Sequence, residues 1–131
     1  MNYFDEKTWE TWANDNYEEF QSLKDGAKIA MLLPNTDNLI VLEKGSEISV
    51  KIDDRYSFEF PFAEIGFKFS EDTVDKVLND KTLKTFQRLT SNDEIGIMSF
   101  VKEDKLLEYD YTNFLRKFGF DLKCNCSCGC C

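Results

Sequence analysis

The chain has 131 residues, room for one compact domain, and 42% of them are hydrophobic, including twelve Phe, which excludes a chain disordered overall. Acidic residues outnumber basic ones 25 to 16, for a formal net charge of -9, so a phosphate backbone or an anionic lipid surface is repelled and nucleic acid is not an expected partner. No apolar run reaches the roughly 18 residues of a membrane span. The opening Met1-Asn2-Tyr3-Phe4-Asp5-Glu6 lacks a basic-then-apolar secretory pattern, so a cytoplasmic location is expected.

The first segment predicts a helix. Trp9, Trp12, Ala13, Tyr17, Phe20 and Leu23 recur at spacings of three and four, Asp5 and Glu6 sit at its positive end, and Gly26 is placed to stop it. Strands follow: Ile29 to Leu33, stopped by the turn cluster Pro34 to Asn38; Leu39 to Leu42; and Ile48, Val50 and Ile52 alternating with Ser49 and Lys51. Tyr56, Phe58, Phe60 and Phe62 alternate as a further strand, confined to an edge or broken at Pro61 because proline has no N–H to donate. Ile65, Phe67 and Phe69 make the next strand.

Ser70 then reads as an N-cap, with Val74, Val77 and Leu78 on one helical stripe, and Leu83, Phe86 and Leu89 on a second short helix. Glu94 to Lys102 reads as a strand. Lys105 to Tyr111 fits strand or helix, and Phe114, Leu115 and Phe118 predict a last helix, capped by Thr112 and ended near Gly119. Helices before, within and after a run of turn-connected strands predict a single-domain α+β fold, with a mostly antiparallel sheet of about five or six strands covered by helices on one face. The domain is expected over 1–120 and a separate tail over 121–131.

From Ala27 to Phe118 this order resembles the sterol-carrier-like family of lipid-binding domains. The nearest local match is Ile65-Gly66-Phe67-Lys68-Phe69 running into Ser70-Glu71-Asp72 and the following helix. The chain departs from the family at Glu94-Ile95-Gly96-Ile97-Met98, where a Gly-Asp pair usually closes a Gly-rich strand. The resemblance implies an apolar cavity between sheet and helices and transfers no catalytic residue.

All five cysteines fall in the last eight residues, Cys124-Asn125-Cys126-Ser127-Cys128-Gly129-Cys130-Cys131. Thiolates are soft ligands, suited to Zn(II) or Cu(I), and the short Cys-x-Cys steps resemble metallothionein segments. Cys124, Cys126, Cys128, Cys130 and Cys131 are therefore the expected metal ligands. An iron–sulfur cluster usually draws on at least one wider interval. An odd number of thiols gathered at one end does not read as a disulfide scaffold. The same residues also fit the modifiable core of a ribosomally made peptide, with the body as a leader bound by a tail-modifying enzyme, and a tail with no role fits them as well.

In the body, Phe58, Phe60, Phe62, Phe67 and Phe69 are placed to line a site for an apolar small molecule or to form an ordinary aromatic core. Trp9 and Trp12 offer a partner platform or core. Lys81, Lys84 and Arg88 share a helix face of the kind that is usually solvated. Glu18-Glu19 and Asp53-Asp54 lack the loop spacing of a calcium site. There is no His, no nucleophile elbow and no phosphate loop. The expectation is a non-enzymatic binding protein that takes a soft metal through its tail, with the peptide precursor and the sterol-carrier-like binder of an apolar ligand as alternatives.

Overall fold

A computed structural model describes residues 5–34, 36–58, 62–80, 84–92 and 94–117. Two short helices, α1 (Glu6–Asp15) and α2 (Tyr17–Phe20), precede the meander β1 (Lys28–Leu32), β2 (Asn38–Lys44) and β3 (Ile48–Asp54). After a 3-10 turn at Arg55–Ser57 come β4 (Ile65–Lys68), α3 (Glu71–Asn79), α4 (Lys84–Ser91), β5 (Gly96–Ser99), α5 (Glu103–Glu108) and α6 (Tyr111–Lys117). The five strands form one sheet in the order β3-β2-β1-β4-β5. All neighbours are antiparallel except β1 and β4, which run parallel with Ile29 opposite Ile65 and Met31 opposite Phe67. The fold is α+β, with a mixed sheet and helices at the N-terminal, middle and C-terminal positions.

Alternation along the strands divides the sheet into two faces. Ile29, Met31, Ile40, Leu42, Ile48, Ile65 and Phe67 join Trp9, Trp12, Phe20, Val74, Phe86, Leu106, Tyr111 and Phe114 in one buried cluster, so every helix packs on the same face. Aromatic edges knit this layer: Phe67 meets Phe86 at 5.0 Å, Phe20 meets Phe114 at 5.3 Å, and Trp9 meets Trp12 at 5.8 Å. The opposite face carries Ala30, Leu39 and Val41, all buried. Over Gly66 on that face lies Phe100, whose ring meets Phe62 at 4.9 Å.

The local chemistry explains the element ends. Asp5 accepts from the Lys7 N–H at 3.0 Å to start α1, and Ser70 and Thr73 form a reciprocal capping box at the start of α3. The single long helix expected at the N-terminus is two. The chain leaves helical geometry at Asn16 (φ -112°, ψ 24°), whose side chain turns back to donate to the Trp12 carbonyl. Gly26 (φ +94°) then serves the turn into β1, its N–H donating to the Lys44 carbonyl at 2.7 Å, and does not end a helix.

The strand expected from Tyr56 to Phe62 is absent over its described part. Asp54 accepts from the Tyr56 N–H at 2.9 Å and winds the chain into a 3-10 turn, leaving Tyr56 82% exposed. Parallel pairing of β1 with β4 requires the chain to cross two strands between β3 and β4 rather than join the sheet there. The ambiguous stretch from Lys105 is helical, as α5 and the start of α6.

The two sheet edges differ. At β3, the Asn14 amide of α1 both donates to the Ile48 carbonyl (3.0 Å) and accepts from the Ile48 N–H (2.8 Å), while Glu6 accepts from the Ile52 N–H at 2.8 Å. The first helix therefore seals that edge. No such cover lies along β5 among the described residues.

Candidate functional site

An apolar groove of about 410 Å³ opens where β5 meets the last two helices. Ile65 of β4 and Leu115 of α6 belong to its lining, with Ile97, Met98 and Val101 on the β5 side and Leu106 of α5. Ile65 and Leu115 are fully buried, Leu106 is nearly so, and Met98 is 44% exposed. The groove thus runs from solvent beside Ser99 and Glu103 to the edge of the aromatic core. Its polar lining is limited to Ser99 and Glu103, and the Ser99 hydroxyl is already committed to the Val101 carbonyl at 2.6 Å.

A hydrogen-bonded post stands behind the groove, where α6 meets the sheet. The Tyr111 hydroxyl faces the Lys28 carbonyl at 2.9 Å and Glu64 Oε1 at 3.0 Å, and the same carboxylate oxygen accepts from the Lys28 N–H at 2.7 Å. Burial, reinforced by the neighbouring Glu64 carboxylate, pushes the Tyr111 phenol well above its ordinary ionisation range. It stays a neutral donor. Asp110, in the left-handed region at φ +65°, makes the turn that delivers Tyr111 from α5 into the core.

Two other cavities have more polar and charged residues in their linings. One of about 380 Å³ lies on the face away from the helices, between Lys28, Glu43, Ser49 and Lys51 and the rings of Phe58 and Phe62, with the Lys51 ammonium 5.2 Å from the Phe58 ring centre. The other, about 360 Å³, lies along α1 and includes Thr8, Thr11, Trp12 and Asp15.

The structure separates the aromatic residues singled out in the sequence. Phe67 and Phe69 sit in the helix-facing core against Phe86. Phe58 and Phe62 belong to the opposite face, and Phe60 lies outside the described residues. Trp9 and Trp12 are core. Lys84 and Arg88 are exposed on α4 and Lys81 lies outside the described residues. The groove residues Ile97, Met98, Val101 and Leu106 were not singled out. Their one signal is that Ile97 and Met98, neighbours pointing to opposite faces, are both apolar in what proves to be an edge strand.

Neither a family profile nor a curated protein matches the sequence. Two solved structures are similar in fold. A ubiquinone synthesis protein described as UbiJ-SCP2 aligns over 86% of this chain and 88% of its own, with 12% identity and a TM-score of 0.48. The apo form of sterol carrier protein 2 from Yarrowia lipolytica aligns over 82% and 86%, with 18% identity and a TM-score of 0.45.

The metal reading of the sequence is corrected. Among the described residues no group of three or more His, Cys, Asp or Glu is placed to hold a metal ion. Cys124, Cys126, Cys128, Cys130 and Cys131 themselves lie outside the described residues. A Zn or Cu(I) cofactor, a soft-metal partner and a tail-modifying enzyme are not carried forward. Among the described residues no helix is long and apolar enough to cross a membrane.

Proposed function

We propose that the domain binds an apolar or amphiphilic small molecule in the groove between β5, α5 and α6, as a non-catalytic carrier or sensor. The observation that carries this reading is the lining itself: Ile65, Ile97, Val101, Leu106 and Leu115 form a continuous apolar wall from the surface to the core. Its volume lies within the range of about 300–1,000 Å³ typical of small-molecule sites. An acyl or isoprenoid tail would lie on that wall, with its polar end toward solvent beside Ser99 and Glu103. A carboxylate at Glu103 disfavours an anionic head, so a neutral or cationic amphiphile is the preferred class.

The test is a titration of the full chain with a fluorescent long-chain alcohol, followed by emission. Saturable binding is expected, weakened about tenfold or more by Val101→Glu, which puts a charge on the wall at a cost above 1.4 kcal/mol. Phe58→Ala, on the opposite face, should leave binding unchanged. Equal loss in both variants, or no saturable binding by the parent chain, would refute the reading.

A further inference from the structure

We infer that the groove measures its ligand, taking a single apolar chain up to a fixed length and excluding fused-ring lipids such as sterols. The inference rests on the groove being the ligand site, and it adds the class of tail that the site accepts.

The floor sets the limit. Ile65 and Leu115 line the groove and have no exposed surface. Both belong to the buried cluster that holds Phe67, Phe114 and Tyr111. The Phe114 ring lies 5.9 Å from that of Tyr111 and 6.4 Å from that of Phe67. Tyr111 is further tied to the Lys28 carbonyl and to Glu64. A tail driven past Ile65 and Leu115 must therefore displace close-packed rings, and such a core does not yield to an added methylene without loss. The cavities along α1 and beside Phe58 share no lining residue with the groove, so neither extends it.

Volume then gives the length. An apolar cavity of about 150 Å³ accommodates the six carbons of benzene, roughly 25 Å³ for each. At that density the 410 Å³ of the groove corresponds to about 16 non-hydrogen atoms, whereas a sterol has about 28. A flexible chain can follow the wall from half-buried Ile97 and Val101, past Leu106, to the floor. A rigid four-ring skeleton cannot leave its excess outside without giving up the floor. Carbons of a longer chain that extend past the mouth stay in water whether or not the protein is present, so they contribute nothing.

The test is displacement of the fluorescent long-chain alcohol from the full chain by n-alkyltrimethylammonium salts with tails of eight to twenty carbons, kept below their micelle concentrations. Affinity is expected to rise about fourfold per methylene and then level off, with the break between roughly 12 and 16 carbons. Leu115→Ala takes about three carbons from the floor and should move the break to longer tails by about that number. Val101→Phe adds about four carbons to the partly exposed wall and should move it to shorter ones. If Leu115→Ala does not fold, Val101→Phe decides. Dehydroergosterol, a fluorescent sterol, should show no saturable binding. A parent chain that binds neither the alcohol nor any salt would overturn the groove reading and this inference with it. Affinity that climbs without a break to twenty carbons, a break that the folded variants leave in place, or saturable sterol binding would overturn the length limit alone.

Discussion

Tyr111 is fully buried and its hydroxyl lies between two acceptors, yet each acceptor has another donor: the Lys28 carbonyl is reached by the Glu64 N–H at 3.1 Å, and Glu64 Oε1 by the Lys28 N–H. Tyr111→Phe therefore strands no buried partner and should cost only about 1 kcal/mol in urea unfolding, not the larger penalty of an orphaned group. The pH dependence has a definite sign. A folded-state phenol pKa raised above the ordinary value means that folding favours the protonated form. The full stability is present below pH of about 10 and is lost above it at up to ~1.4 kcal/mol per pH unit. Tyr111→Phe should remove this component and flatten the alkaline limb of a thermal-unfolding profile. An identical slope in both proteins would show that Tyr111 does not control it.

Among the elements, β4 and β5 depend on a glycine where the sequence pattern shows only an interrupted strand. A Cβ at Gly66 would lie 2.9 Å from Phe100 Cε2 and 3.3 Å from Leu32 Cδ1, so the ring occupies the space a side chain would need. Gly66→Ala must push Phe100 off the sheet, and a loss of about 1–3 kcal/mol is expected from denaturant midpoints. Gly66→Ala combined with Phe100→Leu should recover part of it. What the sequence made legible at this scale follows burial. Strands with one buried face, such as β3 with Ile48, Val50 and Ile52, announce themselves by alternation. The capping box at Ser70 announces α3. The aromatic alternation through Tyr56, Phe58 and Phe62 misleads because these rings serve a connection crossing the second face, and nothing local distinguishes a residue covering a sheet from one belonging to it. The break at Asn16 was illegible for a similar reason: the apolar stripe from Trp9 to Phe20 continues unchanged through it.

At the scale of the molecule, the α+β class and its helix-covered sheet could be read from the order of elements, but the parallel β1–β4 pair could not. Tight turns argue for antiparallel neighbours, and only the whole topology shows that the chain after β3 skips two strands. The groove was hidden for the same reason, since Ile65, Val101, Leu106 and Leu115 are brought together only by the closure of α5 and α6 against a distant strand. The seal that α1 places on β3 has a consequence for polymer growth. A sheet edge with free amides can recruit further strands, as fibres do, whereas an edge whose amides are already bonded to a helix cannot. Glu6→Ala with Asn14→Ala should remove that block. Concentrated solutions of the double variant are expected to scatter light increasingly with time, under conditions where the parent chain stays clear. Equal clarity in both would mean that the helix backbone alone is enough to terminate the array.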